Sequence, residues 1–356
     1  MKPKPKKIIL GVAIALGSIL LLAGIAGTVL YAVAVNRPSL RFLMSNSGFR
    51  VAKDFVKSEE SMDVEGEPVS VMVYRHPSGK SKKYFMLQHG LTPDGHRHPV
   101  IDRFAASLCD ATGMSVVIPY VKGSITGGSL TDAYDRMAKI YTALVKNYPG
   151  EYRAFGACIG ANILLMALNR VPDAIYPKKI FMLGPFFDGR KLFEFYNKIS
   201  NPEEFDIMVK MAVTLNMEVF SEAEKELIRR AIAASEPGVT DRSKMKKIMG
   251  EKLFNDIAVI RLRHADFEAI NPGAMFGRGK TECKYFILHS KTDNIIPYFE
   301  GKNLAKFMQK SGISTKFLGT EYVDHAENRA NVTGFVKEVK YLVRFFDELF
   351  EGDVEK

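Results

Sequence analysis

From residue 69 to residue 350 the chain alternates short apolar runs of strand length with longer stretches of helical period. A parallel sheet with crossover helices demands that alternation. Strand-length runs fall at 69–74, 84–88, 115–119, 152–157, 179–183, 284–289 and 315–318. Helical periods lie between or after them at 100–111, 132–147, 161–169, 300–309 and 332–350. Pro77-Ser78-Gly79-Lys80 supplies turn chemistry before the second run, and Gly113 ends the first helix. The fold class this predicts is α/β, a mostly parallel sheet with flanking helices.

The alternation stops after Gly184-Pro185. Residues 186–272 carry no clear strand but several helix starts. Asn201-Pro202-Glu203-Glu204 places Pro early and acids in a first turn, and Ser221-Glu222-Ala223-Glu224 is a capping box. The block is rich in Met, Phe, Ile and Leu, and it stands between two strands of one sheet. It is expected to form a helical cap over the sheet's C-terminal edge, splitting the core into 65–185 and 273–356. Residues 37–64 are expected to be linker and lead-in.

Ahead of these, residues 8–35 form an apolar run without a charge, enough to cross a hydrocarbon layer of ~30 Å as a helix. Lys2, Lys4, Lys6 and Lys7 precede it, the bias that keeps an N-terminus cytoplasmic. Ala32-Val33-Ala34 resembles a signal-peptide cleavage site, but the apolar regions of such peptides run only ~7–15 residues. A retained single-pass anchor over 1–36 is expected, with the remaining chain outside the cytoplasm. The net charge of +10 fits an anionic membrane surface as partner. Lys and Arg are otherwise scattered and no aromatic-basic motif is present, so nucleic acid is not expected. The three cysteines, Cys109, Cys158 and Cys283, lie far apart and show neither metal spacing nor a disulfide framework. No metal and no cofactor are expected.

Four short segments carry candidate chemistry, each at the end of a predicted strand. Gly156-Ala157-Cys158-Ile159-Gly160 stands where a strand meets a helix. A nucleophile on such a sharp turn needs small flanking residues, here Gly156 and Gly160, because strand and helix approach closely. The helix N-terminus favours a thiolate on Cys158. A buried structural cysteine in a glycine-rich turn is the competing reading. His89-Gly90-Leu91 follows the second strand, so the backbone amides of Leu91 and Ile159 are the candidate oxyanion donors. Asp293, after the 284–289 run, is the candidate carboxylate, with Asp188 as fallback. His325, after the last strand, is the candidate base, the side chain type suited to moving protons near neutrality.

In motif order and topology, residues 65–350 resemble the α/β-hydrolase superfamily, whose nucleophile, acid and base follow in the order Cys158, Asp293, His325. A cysteine in the elbow is also found in dienelactone hydrolases and polyhydroxyalkanoate synthases. The former lack so large a cap. In the latter the position of Ala161 is usually Gly, and this chain also has no Trp. The resemblance implies a hydrolase of an ester or thioester acting through a thioester intermediate; the apolar insertion favours a small-molecule substrate with an apolar acyl chain, and the N-terminal run would anchor the enzyme in a membrane. An acyltransferase and an inactive hydrolase-like binding module are the alternatives.

Overall fold

The computed structural model describes residues 36–79, 81–90, 95–121, 130–196, 220–234, 242–258, 282–325, 327–328 and 332–353. Its first element is a helix, α1 (Pro38–Asn46), followed by the hairpin β1 (Val56–Val64) and β2 (Glu67–Arg75). The hairpin turns at Glu65-Gly66, both at positive φ, the backbone that tight hairpins need. Then come β3 (Lys83–Gln88), α2 (Pro99–Thr112), β4 (Ser115–Pro119), α3 (Leu130–Asn147), β5 (Glu151–Ala157), α4 (Ile159–Leu168) and β6 (Lys179–Leu183). The predicted elements of this stretch form within a residue or two of their expected bounds.

Between β6 and the next strand, β7 (Lys284–Ser290), the described residues hold four helices: α5 (Gly189–Tyr196), α6 (Glu222–Ala233), α7 (Arg242–Met249) and α8 (Glu251–Ala258). The chain closes with α9 (Tyr298–Lys310), β8 (Thr315–Thr320), the two-residue pair β9 (Val323–Asp324) and β10 (Glu327–Asn328), and α10 (Val332–Phe350).

Eight strands form one sheet in the order β1-β2-β4-β3-β5-β6-β7-β8. The β1–β2 and β2–β4 pairs are antiparallel; every pair from β4 to β8 is parallel. Strand side chains alternate between two apolar layers, as the two-residue period requires. Ile180, Met182, Tyr285 and Ile287 pack with α3, α4 and α9 on one face. Phe181, Leu183, Phe286 and Leu288 pack with α1, α2 and α10 on the other. Aromatic rings bind the second layer: Phe181 lies 4.9 Å from Phe155 and 5.9 Å from Phe345, centroid to centroid. Buried side chains of the insertion, among them Leu192, Ile228, Met245 and Leu253, join the first layer.

The expectation that residues 37–64 are linker and lead-in is corrected. Phe42 of α1 sits between Phe104 of α2 and Phe346 of α10, at 5.2 and 4.8 Å. Asp110, buried on α2, accepts from Arg41 and Arg50 and from the backbone amides of Lys53 and Asp54. Burial alone would raise the Asp110 pKa, but these partners outweigh it and hold the carboxyl well below the usual carboxylate range. The segment after α1 is thereby fixed to the domain body.

One more buried charge closes the fold at the opposite strand end. Lys179, at the start of β6, donates to the carbonyls of Leu349 and Glu351 at 2.7 and 2.6 Å, and to Asp353 at 2.9 Å. A cation on the last carbonyls of α10 satisfies groups that a helix C-terminus leaves open. Residues 8–35 lie outside the described residues, and among those described no helix is long and apolar enough to cross a membrane.

Candidate active site

The parallel strands β3, β5, β6 and β7 all end at the same edge of the sheet, and the loops leaving that edge hold the candidate residues. Cys158 occupies the single position between β5 and α4 with φ 55° and ψ −138°. A non-glycine residue there is strained by ~1–3 kcal/mol and persists only when its surroundings impose it. Here they do. The Cys158 amide donates to the Leu183 carbonyl at 2.8 Å, and its carbonyl accepts from the Ala161 amide at 3.0 Å.

The flanking glycines are required by space. A Cβ on Gly156 would lie 2.4 Å from the Ala161 Cα, and one on Gly160 would lie 2.2 Å from the His89 carbonyl oxygen. Strand, helix and the loop after β3 therefore meet with room for hydrogen alone. Gly90 completes the contact: a Cβ there would stand 3.1 Å from the Cys158 Cβ. Cys158 itself is 6% exposed.

His325 follows β9 and places Nδ1 2.9 Å from both carboxylate oxygens of Asp293. A carboxylate only accepts, so Nδ1 carries the proton. Burial disfavours charge on His325. The Asp293 carboxylate and Cys158 outweigh it and raise the pKa well above the ordinary histidine range. Asp293, its side chain fully buried, accepts from the amides of Ile295 and Ile296 at 2.8 Å each. Burial pushes its pKa up; the positive field of His325 and these amides bring it below the usual range. Asp188, the fallback acid, instead helps cap α5 through the Lys191 amide.

The oxyanion candidates stand differently. Ile159 is the first residue of α4, so its amide is among those that a helix leaves without an intrahelical acceptor. Leu91 lies outside the described residues. His89 is buried and donates from Nδ1 to the Gly90 carbonyl at 2.9 Å.

Sequence reasoning missed three supports. His289, fully buried, donates from Nε2 to the Ile296 carbonyl at 2.8 Å, and that nitrogen lies 3.6 Å from Asp293 Oδ2. It therefore braces the loop that carries the acid. Glu300 of α9, fully buried, accepts from the amides of Phe187 and Asp188 at 2.8 and 2.7 Å. Asn162 of α4 exchanges two hydrogen bonds with the Phe186 backbone. The helical insertion thus leaves β6 clamped to the helices behind both the elbow and the acid loop. Gly-flanked Cys and strand-end Asp and His have local signals; these contacts have none. Among the described residues no group of three or more His, Cys, Asp or Glu side chains is placed to hold a metal.

No family model matches the sequence, and no curated protein is similar to it in sequence. Solved structures are similar in shape. A thermostable esterase from Pseudomonas putida ECU1011 superimposes with a TM-score of 0.52 at 15% identity, covering 88% of each chain. The acylaminoacyl peptidase of Pyrococcus horikoshii gives 0.52 at 12% identity, over 85% of this chain. A puromycin-hydrolyzing peptidase of Mycobacterium tuberculosis gives 0.51 at 15%, over 84%. The chain spans only 42% and 40% of those two peptidases.

The fold is α/β-hydrolase-like. In such a fold the turn after the central strand, the loop after β3 and the loops after β7 and β8 converge on one edge, where Cys158, Gly90, Asp293 and His325 stand.

His89 gives this arrangement a pH signature. Burial lowers its pKa to about 4, against the opposing bond to Gly90. As pH falls from about 6.5, the unfolded chain takes up a proton that the folded chain refuses until about 4. Stability is therefore full above that window and declines within it, by about 3 kcal/mol for this group. In His89→Asn the amide can keep the donor to Gly90 without titrating. Urea unfolding from pH 7 to pH 4 should show a shallower decline in the variant, by up to one proton. Equal slopes would contradict the buried, neutral His89.

Proposed function

We propose that this chain is a hydrolase of esters or thioesters that works through Cys158, His325 and Asp293. The observation that carries the proposal is one arrangement: a cysteine held at positive φ between strand and helix, beside a histidine whose charged form it favours and whose Nδ1 is 2.9 Å from both oxygens of a buried carboxylate. The esterase and peptidases of like fold support acyl hydrolysis as the class of reaction.

In the proposed sequence His325 accepts the thiol proton, and the sulfur attacks the substrate carbonyl. The negative charge that develops on the carbonyl oxygen is met by the amide of Ile159 and, as proposed, that of Leu91. His325 then gives its proton to the departing alcohol or thiol, leaving an acyl-cysteine thioester. Water, deprotonated by His325, attacks that thioester; the acid leaves and the sulfur regains its proton. Asp293 takes no proton. It fixes the tautomer and stabilises the imidazolium. A substrate with a long apolar acyl group suits the Met- and Phe-rich insertion. We also propose that residues 8–35 are retained as a membrane span with the catalytic part outside the cytoplasm.

Two measurements test these readings. Incubation with a p-nitrophenyl or S-acyl ester, quenching in acid and peptide mapping should locate the acyl adduct on Cys158. Cys158→Ala should abolish both adduct and turnover, a loss of ~10³-fold or more for a covalent nucleophile. Turnover that survives in Cys158→Ala would overturn the mechanism. For the anchor, N-terminal sequencing of the membrane-bound protein should return the residues before 8, whereas a chain starting near Val35 would overturn it.

A further inference from the structure

The apolar run ends at Val35, and α1 starts at Pro38. Two residues extended reach only about 7 Å, and Arg37 is itself tied down, donating to Asp347 of α10 from its guanidinium at 3.2 Å. Ser39 donates to the same carboxylate at 2.6 Å. If the run crosses a bilayer, the domain has no slack by which to stand away from it.

The surface beside that entry point has a definite composition. Helix α10 exposes one stripe: Val336 is 67% and Tyr341 55% exposed, and the Arg344 side chain is 82% exposed. Lys340 holds its ammonium 4.8 Å from the Tyr341 ring. Helix α1 runs alongside in the opposite direction, from Asp347 at its start to Tyr322, which Ser47 contacts just past its end. Just beyond, Phe49 is 43% and Val51 72% exposed, and the Phe49 ring lies 5.6 Å from Phe335, next to Val336. Apolar side chains exposed singly need no explanation; clustered beside an aromatic–cation pair, they match what sits at a lipid headgroup layer. The acids on this side are engaged: Asp347 by Arg37 and Ser39, Glu348 by Lys316 and, at 3.7 Å, by Arg344 of the stripe itself, and Glu338 by Thr320, Lys291 and the Glu321 amide.

We propose that this face, the Phe49–Val51 corner together with the Val336–Arg344 stripe of α10, lies on the surface of an anionic bilayer. The inference rests on the retained-span reading above. It makes the domain a body pressed to the membrane along two helices, in place of one swinging on a tether. It also sets the catalytic edge close to lipid, because Tyr322, against Phe335 at 5.3 Å, stands three residues before His325. An acyl chain could then pass from the headgroup layer toward that edge without crossing bulk water.

The test uses the full-length chain in phosphatidylcholine vesicles containing about one-third phosphatidylglycerol, the anionic component that basic residues recognise. Cys158→Ala serves as background, so that an introduced thiol is labelled selectively. A nitrobenzoxadiazole label is placed at Val336→Cys and, in a second sample, at Lys139→Cys of α3, which packs on the other face of the sheet. Brominated lipids should quench the Val336 label several-fold more than the Lys139 label, and Lys340→Glu with Arg344→Glu should reduce the difference. Equal quenching at the two positions overturns the docking face. Alkaline carbonate extraction separates the readings. A chain that stays in the vesicles with equal quenching keeps the span and loses the face; one that is extracted, after selective quenching at neutral pH, keeps the face and loses the span.

Discussion

The site depends on a steric constraint at the β5–α4 junction. Cys158 adopts a backbone conformation that L-residues avoid, and it does so because the chain on both sides is locked at hydrogen-only clearances. Gly156 lets the strand pass the Ala161 backbone, and Gly160 lets the helix pass the His89 carbonyl. A larger side chain at Gly156 would push α4 off β5, and one at Gly160 would push the loop after β3 away from the elbow. The same contacts that force the strain thus bring Gly90 against the Cys158 Cβ, and Cys158 and the loop after β3 are positioned by one packing event.

Electrostatics then gives the junction its chemistry. A buried carboxylate is costly unless its oxygens are filled, and Asp293 has two backbone amides and an imidazole for them. That set keeps the acid charged and turns His325 toward Cys158. His289 keeps the acid loop closed from behind, bonded to the Ile296 carbonyl. Gly301 is the matching concession, since a Cβ there would fall 2.1 Å from His289 Nδ1. Glu300, adjacent in sequence, holds the first residues of the helical insertion. One turn of α9 therefore serves both the acid loop and the root of the insertion.

How much of this was legible in the sequence follows from where the information resides. Strands β2 to β8 and their crossover helices announce themselves because their sequences read as apolar runs between turn residues, most of them buried in the sheet. Cys158, Asp293 and His325 stand out as candidates for the same reason: each follows a legible strand. Strand β1 was missed because it is an edge strand, Val-Lys-Ser-Glu-Glu-Ser-Met-Asp-Val, with most side chains at least partly exposed and no apolar stripe. Helix α1 was missed because its place is set by Asp110 and Asp347, far away in sequence. His289, Glu300 and Lys179 were illegible in the same way; a buried polar residue reveals its role only through partners that the fold brings.

The central claim is that Cys158 is an activated nucleophile and not a packed thiol. Cys109 and Cys283 are internal controls, since burial pushes both thiols up to about 12. The direct measurement is the rate of iodoacetamide alkylation at each cysteine of the folded protein, followed by peptide mass spectrometry across neutral pH, with and without His325→Ala. The account predicts that Cys158 reacts first by a wide margin, and that His325→Ala slows it roughly tenfold or more while leaving the other two unchanged. Alkylation of Cys158 no faster than Cys109 and Cys283, and indifferent to the loss of His325, would contradict it.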